Sequence, residues 1–132
     1  KVEGRSWTKV ESRFPVRHAF EFRHPSFNNA DFIAMLKEYN VAFVMAHAGG
    51  KNAPYVETPT ADFIYVRLHG EGKSKGYSKK EIAGWAKRVE GWVRGKREVF
   101  FYFSNEAKVY APAGALALQE MLQPKFLEKI AA

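Results

Sequence analysis

The stretch Thr60 to Gly70, TADFIYVRLHG, constrains the fold more than any other part of the chain, because an apolar run there turns polar within three residues. Side chains alternate across a strand, so Ile64, Val66 and Leu68 share one face while Phe63, Tyr65, Arg67 and His69 share the other. One face can pack against helices; the other carries Arg67 and His69 to the strand's end. Such a strand delivers polar groups to a site from within a buried sheet.

The neighbouring segments supply more units of the same kind. Lys1 to Val16 has scattered charges, Trp7, Phe14 and the extended bias before Pro15, and reads as a helix tail or a loop. His18 to Arg23 alternates, with Phe20 and Phe22 on one face and Ala19, Glu21 and Arg23 on the other; His24-Pro25-Ser26 ends this strand. Asn28 or Asn29 caps a helix whose apolar face uses Phe32, Ile33, Met35, Leu36 and Tyr39, and Asn40 stops it. Val41 to Ala46 is a continuous apolar run, the form of a strand covered on both faces. His47 to Pro59, with Gly49-Gly50 and two prolines, reads as a loop.

Beyond the opening stretch, Glu71 to Tyr77 reads as a mobile glycine and lysine loop. Ser78 and Glu81 match a capping box, and Ile82, Trp85, Ala86, Val89, Trp92 and Val93 form the buried stripe of the helix that follows. Lys79, Lys80, Lys87, Arg88 and Arg94 line its outer side, and Gly95 supplies the C-terminal cap. Val99 to Phe103 is an aromatic strand, Ser104-Asn105-Glu106 a polar turn, and a helix follows Pro112 until Pro124 breaks or kinks it. Strand, helix, strand, loop, strand, helix, strand, helix is the order of parallel α/β units, whose ligands sit beyond the carboxyl ends of the strands.

At 132 residues and 46% hydrophobic, the chain suits one domain with a real core. No apolar run is long enough to span a bilayer and no secretory leader is visible, so a soluble, cytoplasmic protein without membrane contact is expected. The first residue is Lys rather than Met, which points to processing, a tag or a fragment. Zero cysteines exclude disulfides and thiolate metal sites. The net charge of +7, from 21 Lys and Arg against 14 Asp and Glu, favours anionic partners without identifying one.

Five ordered blocks resemble the YecE-like proteins, known as domain of unknown function 72. They are Phe20-Glu21-Phe22-Arg23-His24-Pro25-Ser26, the Thr60 to Gly70 stretch, Tyr77-Ser78 with Trp85-Ala86, Tyr102-Phe103, and Tyr110-Ala111-Pro112. The resemblance implies a (β/α)8 barrel of roughly 250 residues, of which this chain is similar to the C-terminal half, strands five to eight. Its first and last strands would then lack the neighbours that close a barrel, so the other half is expected from a second copy in a homo-oligomer, from another chain as a complementing half-barrel, or from a part of the protein outside this sequence. Members of the family carry Trp where Phe27 stands, Asp where His47 stands, Asn-Asn-Asp at Ser104-Asn105-Glu106, and Asn at Gly114.

The candidate chemistry gathers at the strand ends. Glu21 and Arg23 lie about 7 Å apart on one strand face, close enough to pair or to share a ligand. Arg23 and Arg67 are anion anchors by type, because a guanidinium presents two parallel donors to phosphate. Glu21 and His69 are the acid-base candidates, and His24, Tyr77, Tyr102 and Asn105 are further ligand contacts at the strand ends. His24, His47, His69, Glu21 and Glu106 are metal-ligand types, but their spacing matches no metal motif, so no metal site is assigned and no cofactor is specified. Three functions fit: a pocket for a phosphate-containing or other anionic ligand, extending to metal-assisted phosphoester hydrolysis by analogy with other barrels; a non-enzymatic nucleic-acid binding module; and a structural half-barrel.

Overall fold

The computed structural model describes residues 4, 9, 14–47, 55–70, 76–105 and 109–130, the last seven as backbone alone. Most of Lys1 to Phe14, the middle of the His47 loop, Glu71 to Lys75 and Glu106 lie outside the described residues.

Strands β1 (Ala19–Phe20), β2 (Ala42–Phe43), β3 (Met45–His47), β4 (Phe63–Leu68) and β5 (Glu98–Phe103) alternate with helices α1 (Ala30–Glu38), α2 (Lys79–Arg94) and α3 (Tyr110–Ile130). Every strand pair is parallel: β1 with β2, β3 with β4, and β4 with β5. The run 41–46 is therefore not one strand. It breaks at Val44 and changes partner, β2 turning to β1 and β3 to β4. The ladder between β1 and the run persists across the break, because the Val44 amide donates to the Phe20 carbonyl at 2.9 Å. Likewise the strand read over 18–23 keeps ladder pairing only at Ala19–Phe20, with Glu21 to Arg23 running on past the sheet.

Among the described residues, the helix-packed side chains lie on one face of this wall. Met45, Ile64, Val66 and Leu68 form a core with Ile82, Trp85 and Ala86 of α2 and Leu118 of α3, with Phe101 and Phe103 packed against it. Full burial of side chains of this size stabilises by about 1.5–3 kcal/mol each. A second cluster joins Phe43 to Leu36 of α1 and Val56, with Phe22 and Phe32 at its margin. Helices on one face and consecutive parallel strands make a mixed α/β fold consistent with part of an α/β barrel, since a doubly wound sheet is covered on both faces.

Thr60 lies before β4 and outside the ladder, yet it is buried and bridges β2. Its hydroxyl accepts from the Phe43 amide at 2.7 Å and donates to the Val41 carbonyl at 2.8 Å. Asn29 caps α1, its side chain accepting from the Phe32 amide at 2.9 Å, and Asn40 leaves that helix with φ +52°. The Ser78–Glu81 capping box is formed, and hydrogen bonds from Ser78 hold the Glu81 carboxyl below its ordinary range.

The expected Gly95 cap of α2 is present, while both ends of α3 extend beyond the reading from sequence. Gly95 caps α2 with φ −74°, and the left-handed residue is Lys96 at φ +59°. α3 starts at Tyr110, so Pro112 falls inside its first turn, where amides have no helical acceptor to lose. The helix also runs through Pro124 to Ile130, because losing one interior amide does not stop the backbone from continuing on the far side. No helix among the described residues is long and apolar enough to cross a membrane.

Candidate functional site

The side chains of β4 that point away from the helices form an open face, and its polar end meets the segment leaving β1. Period-two alternation places Glu21 and Arg23 together there, and Arg23 Nη2 lies 2.8 Å from Glu21 Oε1. Glu21 is the hub. Arg67 Nη1 donates to its Oε2, and His69 Nε2 lies 3.0 Å from its Oε1. An ionised carboxylate only accepts, so the His69 Nε2 bonded to it carries the hydrogen. The Glu21 side chain is 11% exposed, against 36% for Arg67 and 58% for Arg23.

Three of the roughly four lone-pair sites of a carboxylate are thus occupied by cationic or N–H donors. Glu21 orients its neighbours. Two guanidiniums against one carboxylate leave the strand end net positive before His69 is counted. Arg67 is braced from β5 as well, its Nε donating to Ser104 Oγ at 3.2 Å. Ser104 follows β5 in register, its amide bonded to the Leu68 carbonyl at 2.7 Å. Sequence reasoning placed Ser104 in a polar turn without assigning it this contact; the signal was its position two residues beyond Tyr102, one step past the Leu68–Phe103 pair.

Asn105, the next residue, has both side-chain polar atoms shielded from solvent and no hydrogen-bond partner among the described residues. An unsatisfied buried amide costs about 1–3 kcal/mol, so Asn105 at the end of β5 has donor and acceptor capacity to offer a ligand. Tyr102 is paired in register with Arg67, is half exposed, and stacks on Tyr65 with ring centroids 5.1 Å apart. Burial raises the Tyr65 phenol above its ordinary range, with the charge and hydrogen bond of Tyr102 adding and Arg67 opposing. At the other end of this face Arg17 lies over the Phe63 and Phe100 rings, at 5.1 and 4.9 Å, and pairs with Glu98 at 2.5 Å. Sequence reasoning missed Arg17.

Two other predicted residues have local roles. His24 Nδ1 lies 2.8 Å from Ser26 Oγ and caps the 3-10 turn Pro25–Phe27. The Tyr77 hydroxyl accepts from the Gly70 amide at 3.1 Å and lies 3.0 Å from His47 Nδ1, tying the end of β4 to β3. His47 lies on the helix-packed side, its ring 5.6 Å from that of Trp85. Among the described residues no group of three or more His, Asp or Glu side chains gathers where a metal could be held, and Glu106 lies outside them.

The family model for the protein of unknown function DUF72 matches residues 5–131. The chain belongs to the DUF72 family. The YecE-like resemblance is this same family. A DUF72 protein structure from Thermotoga maritima superposes with TM-score 0.73 at 27% identity, over 83% of this chain and 47% of that one. Two structures of a DUF72 protein from Enterococcus faecalis superpose with TM-scores 0.71 and 0.69 at 21% and 22% identity, covering 82% of this chain and 48% and 49% of theirs. The chain therefore spans about half the length of the DUF72 structures it matches. No curated protein matches it.

Gly114 has a packing reason: an added Cβ would lie 2.7 Å from Phe103 Cε1, so the Phe103 ring occupies the space of a side chain.

Proposed function

We propose that the strand-end cluster of this DUF72 protein binds a phosphate-containing or other anionic ligand. The observation that carries the reading is the single Glu21 carboxylate held by Arg23, Arg67 and His69. A partly buried carboxylate that fixes two guanidiniums pre-organises their remaining N–H donors for a planar or tetrahedral anion. The unsatisfied Asn105 amide beside Ser104 supports the same reading.

In this account Arg67 and Arg23 are the anion contacts, Glu21 is a positioning residue, and Tyr102 flanks the ligand. With Nε2–H committed to Glu21, a neutral His69 has Nδ1 as its acceptor nitrogen, able to take a proton from water or a hydroxyl. That arrangement suits phosphoester hydrolysis, with positive charge on the phosphoryl oxygens supplied by the guanidiniums.

Calorimetric titration with inorganic phosphate tests the binding step. A charge-assisted contact contributes about 1.5–3 kcal/mol, so Arg67→Ala should weaken phosphate binding at least tenfold while the circular-dichroism melting curve stays within a few degrees. Arg67→Lys should recover part of the affinity. Unchanged affinity in Arg67→Ala, or lost binding together with lost fold, would overturn the assignment.

A nucleic-acid reading draws on the exposed Lys79, Lys80, Lys87 and Arg94 of α2. It predicts a steep fall of oligonucleotide affinity with salt. Arg88 is less suited to it, being paired with Glu57 at 2.7 Å and stacked over Trp85 at 4.8 Å.

A further inference from the structure

The Glu21 carboxylate has more acceptor capacity than its protein partners take up, and the remainder sits at a particular atom. Oε1 meets two donors, Arg23 Nη2 at 2.8 Å and His69 Nε2 at 3.0 Å, which fill its two lone pairs. Oε2 meets one, Arg67 Nη1. Among the described residues one lone pair is therefore left to give, and it lies on the oxygen that touches Arg67. With the Glu21 side chain only 11% exposed, solvent screens that oxygen poorly.

The groups beside it are donors. Arg67 commits Nη1 to Glu21 and Nε to Ser104 Oγ, which leaves both hydrogens of Nη2 and one of Nη1. Ser104 Oγ accepts from that Nε, so the hydroxyl's own hydrogen is left to donate. A tetrahedral anion held by these donors brings a further oxygen against Glu21 Oε2. A bare oxygen there would set two like charges together. An oxygen that carries a hydrogen would instead donate a charge-assisted O–H···O bond to the carboxylate.

Resting on the anion-binding reading above, we propose that the site takes a hydrogen phosphate group, either inorganic phosphate or a phosphate monoester in its singly protonated form, with Glu21 Oε2 accepting the ligand's hydrogen. The same oxygen disfavours sulfate and phosphodiesters, which carry no hydrogen near neutral pH. Glu21 thus determines specificity as well as positioning Arg23, Arg67 and His69. The selection also runs against the backbone of a nucleic acid, whose phosphates are diesters.

Calorimetric titration of the full chain with two matched pairs of anions tests this. At about pH 8, hydrogen phosphate and sulfate are both tetrahedral dianions and differ by one hydrogen. At about pH 5.5, methyl phosphate and dimethyl phosphate are both largely monoanions with the same difference, since the second pKa of a phosphate monoester lies near 6. The charge on His69 is common to both members of a pair and cancels from the comparison. In each pair the hydrogen-bearing anion should bind about tenfold more tightly or better. In Glu21→Gln the ratio should collapse toward unity, because an amide NH2 can donate to a bare oxygen. A Glu21→Gln protein that loses affinity for both members of a pair alike, keeping the ratio, would leave Glu21 a positioning role alone and overturn the proposal. Equal affinities within both pairs in the unaltered protein would overturn it too, with no variant needed, and would leave the anion site standing. Failure of all four anions to bind would overturn the anion site itself.

Discussion

Glu21 shows what single residues can and cannot reveal. Its pairing with Arg23 follows from period-two alternation alone, and Arg67 and His69 share a face of β4 for the same reason. That the two pairs converge on one carboxylate is a tertiary fact, set by β1 and β4 flanking the run 41–47. Asn105 and Ser104 depend on register with β4, which no local pattern encodes. Backbone detail escaped in the same way. A glycine after a helix is expected to take the left-handed conformation, but here Gly95 stays at φ −74° and Lys96 takes φ +59°. A non-glycine residue in that region costs roughly 1–2 kcal/mol, partly offset in any glycine variant by a looser unfolded chain. Lys96→Gly should therefore stabilise the protein by about 0.5–1 kcal/mol, raising the thermal midpoint by roughly 2–4 °C. A calorimetric midpoint equal to or below that of the parent would contradict this.

At the scale of elements, α2 was fully legible, because a capping box and a buried stripe at helical spacing are both local signals. Trp85 is buried as its spacing predicts. The apolar face read for α1 was too broad, since Met35 and Tyr39 line an open cleft instead of the core. The run 41–46 hid its break, because extended backbone looks the same whichever neighbour it pairs with. α3 begins two residues before Pro112, which sits in its first turn, and of the two outcomes expected at Pro124 the break does not occur, since the helix continues to Ile130. Gly114 matters to how this helix packs. A Cβ there meets the Phe103 ring at 2.7 Å, and overpacking of that kind costs about 1–3 kcal/mol. Gly114→Asn should lower stability in urea denaturation by about 1–2 kcal/mol net of the improved helix propensity. A neutral or stabilising result would show that Phe103 swings aside freely.

For the whole molecule, the parallel α/β order and the family were both legible: the order from alternating patterns, the family from five ordered blocks. Curvature and closure were not, since they depend on what lies beyond the outer strands. The one-sided helix cover of the described residues is consistent with part of an α/β barrel, and the chain matches about half the length of the longer DUF72 structures. The strand-end cluster is assembled from the segments at the ends of β1, β4 and β5 of this chain, so the proposed anion binding can be measured on it directly. The most direct measurement of the central claim is a crystal structure of this chain grown in inorganic phosphate. The account predicts a phosphate within hydrogen-bond distance of Arg67, with Glu21 still bridging Arg67 and His69. An ordered cluster without phosphate at Arg67, under conditions where phosphate occupies other surfaces of the molecule, would contradict it.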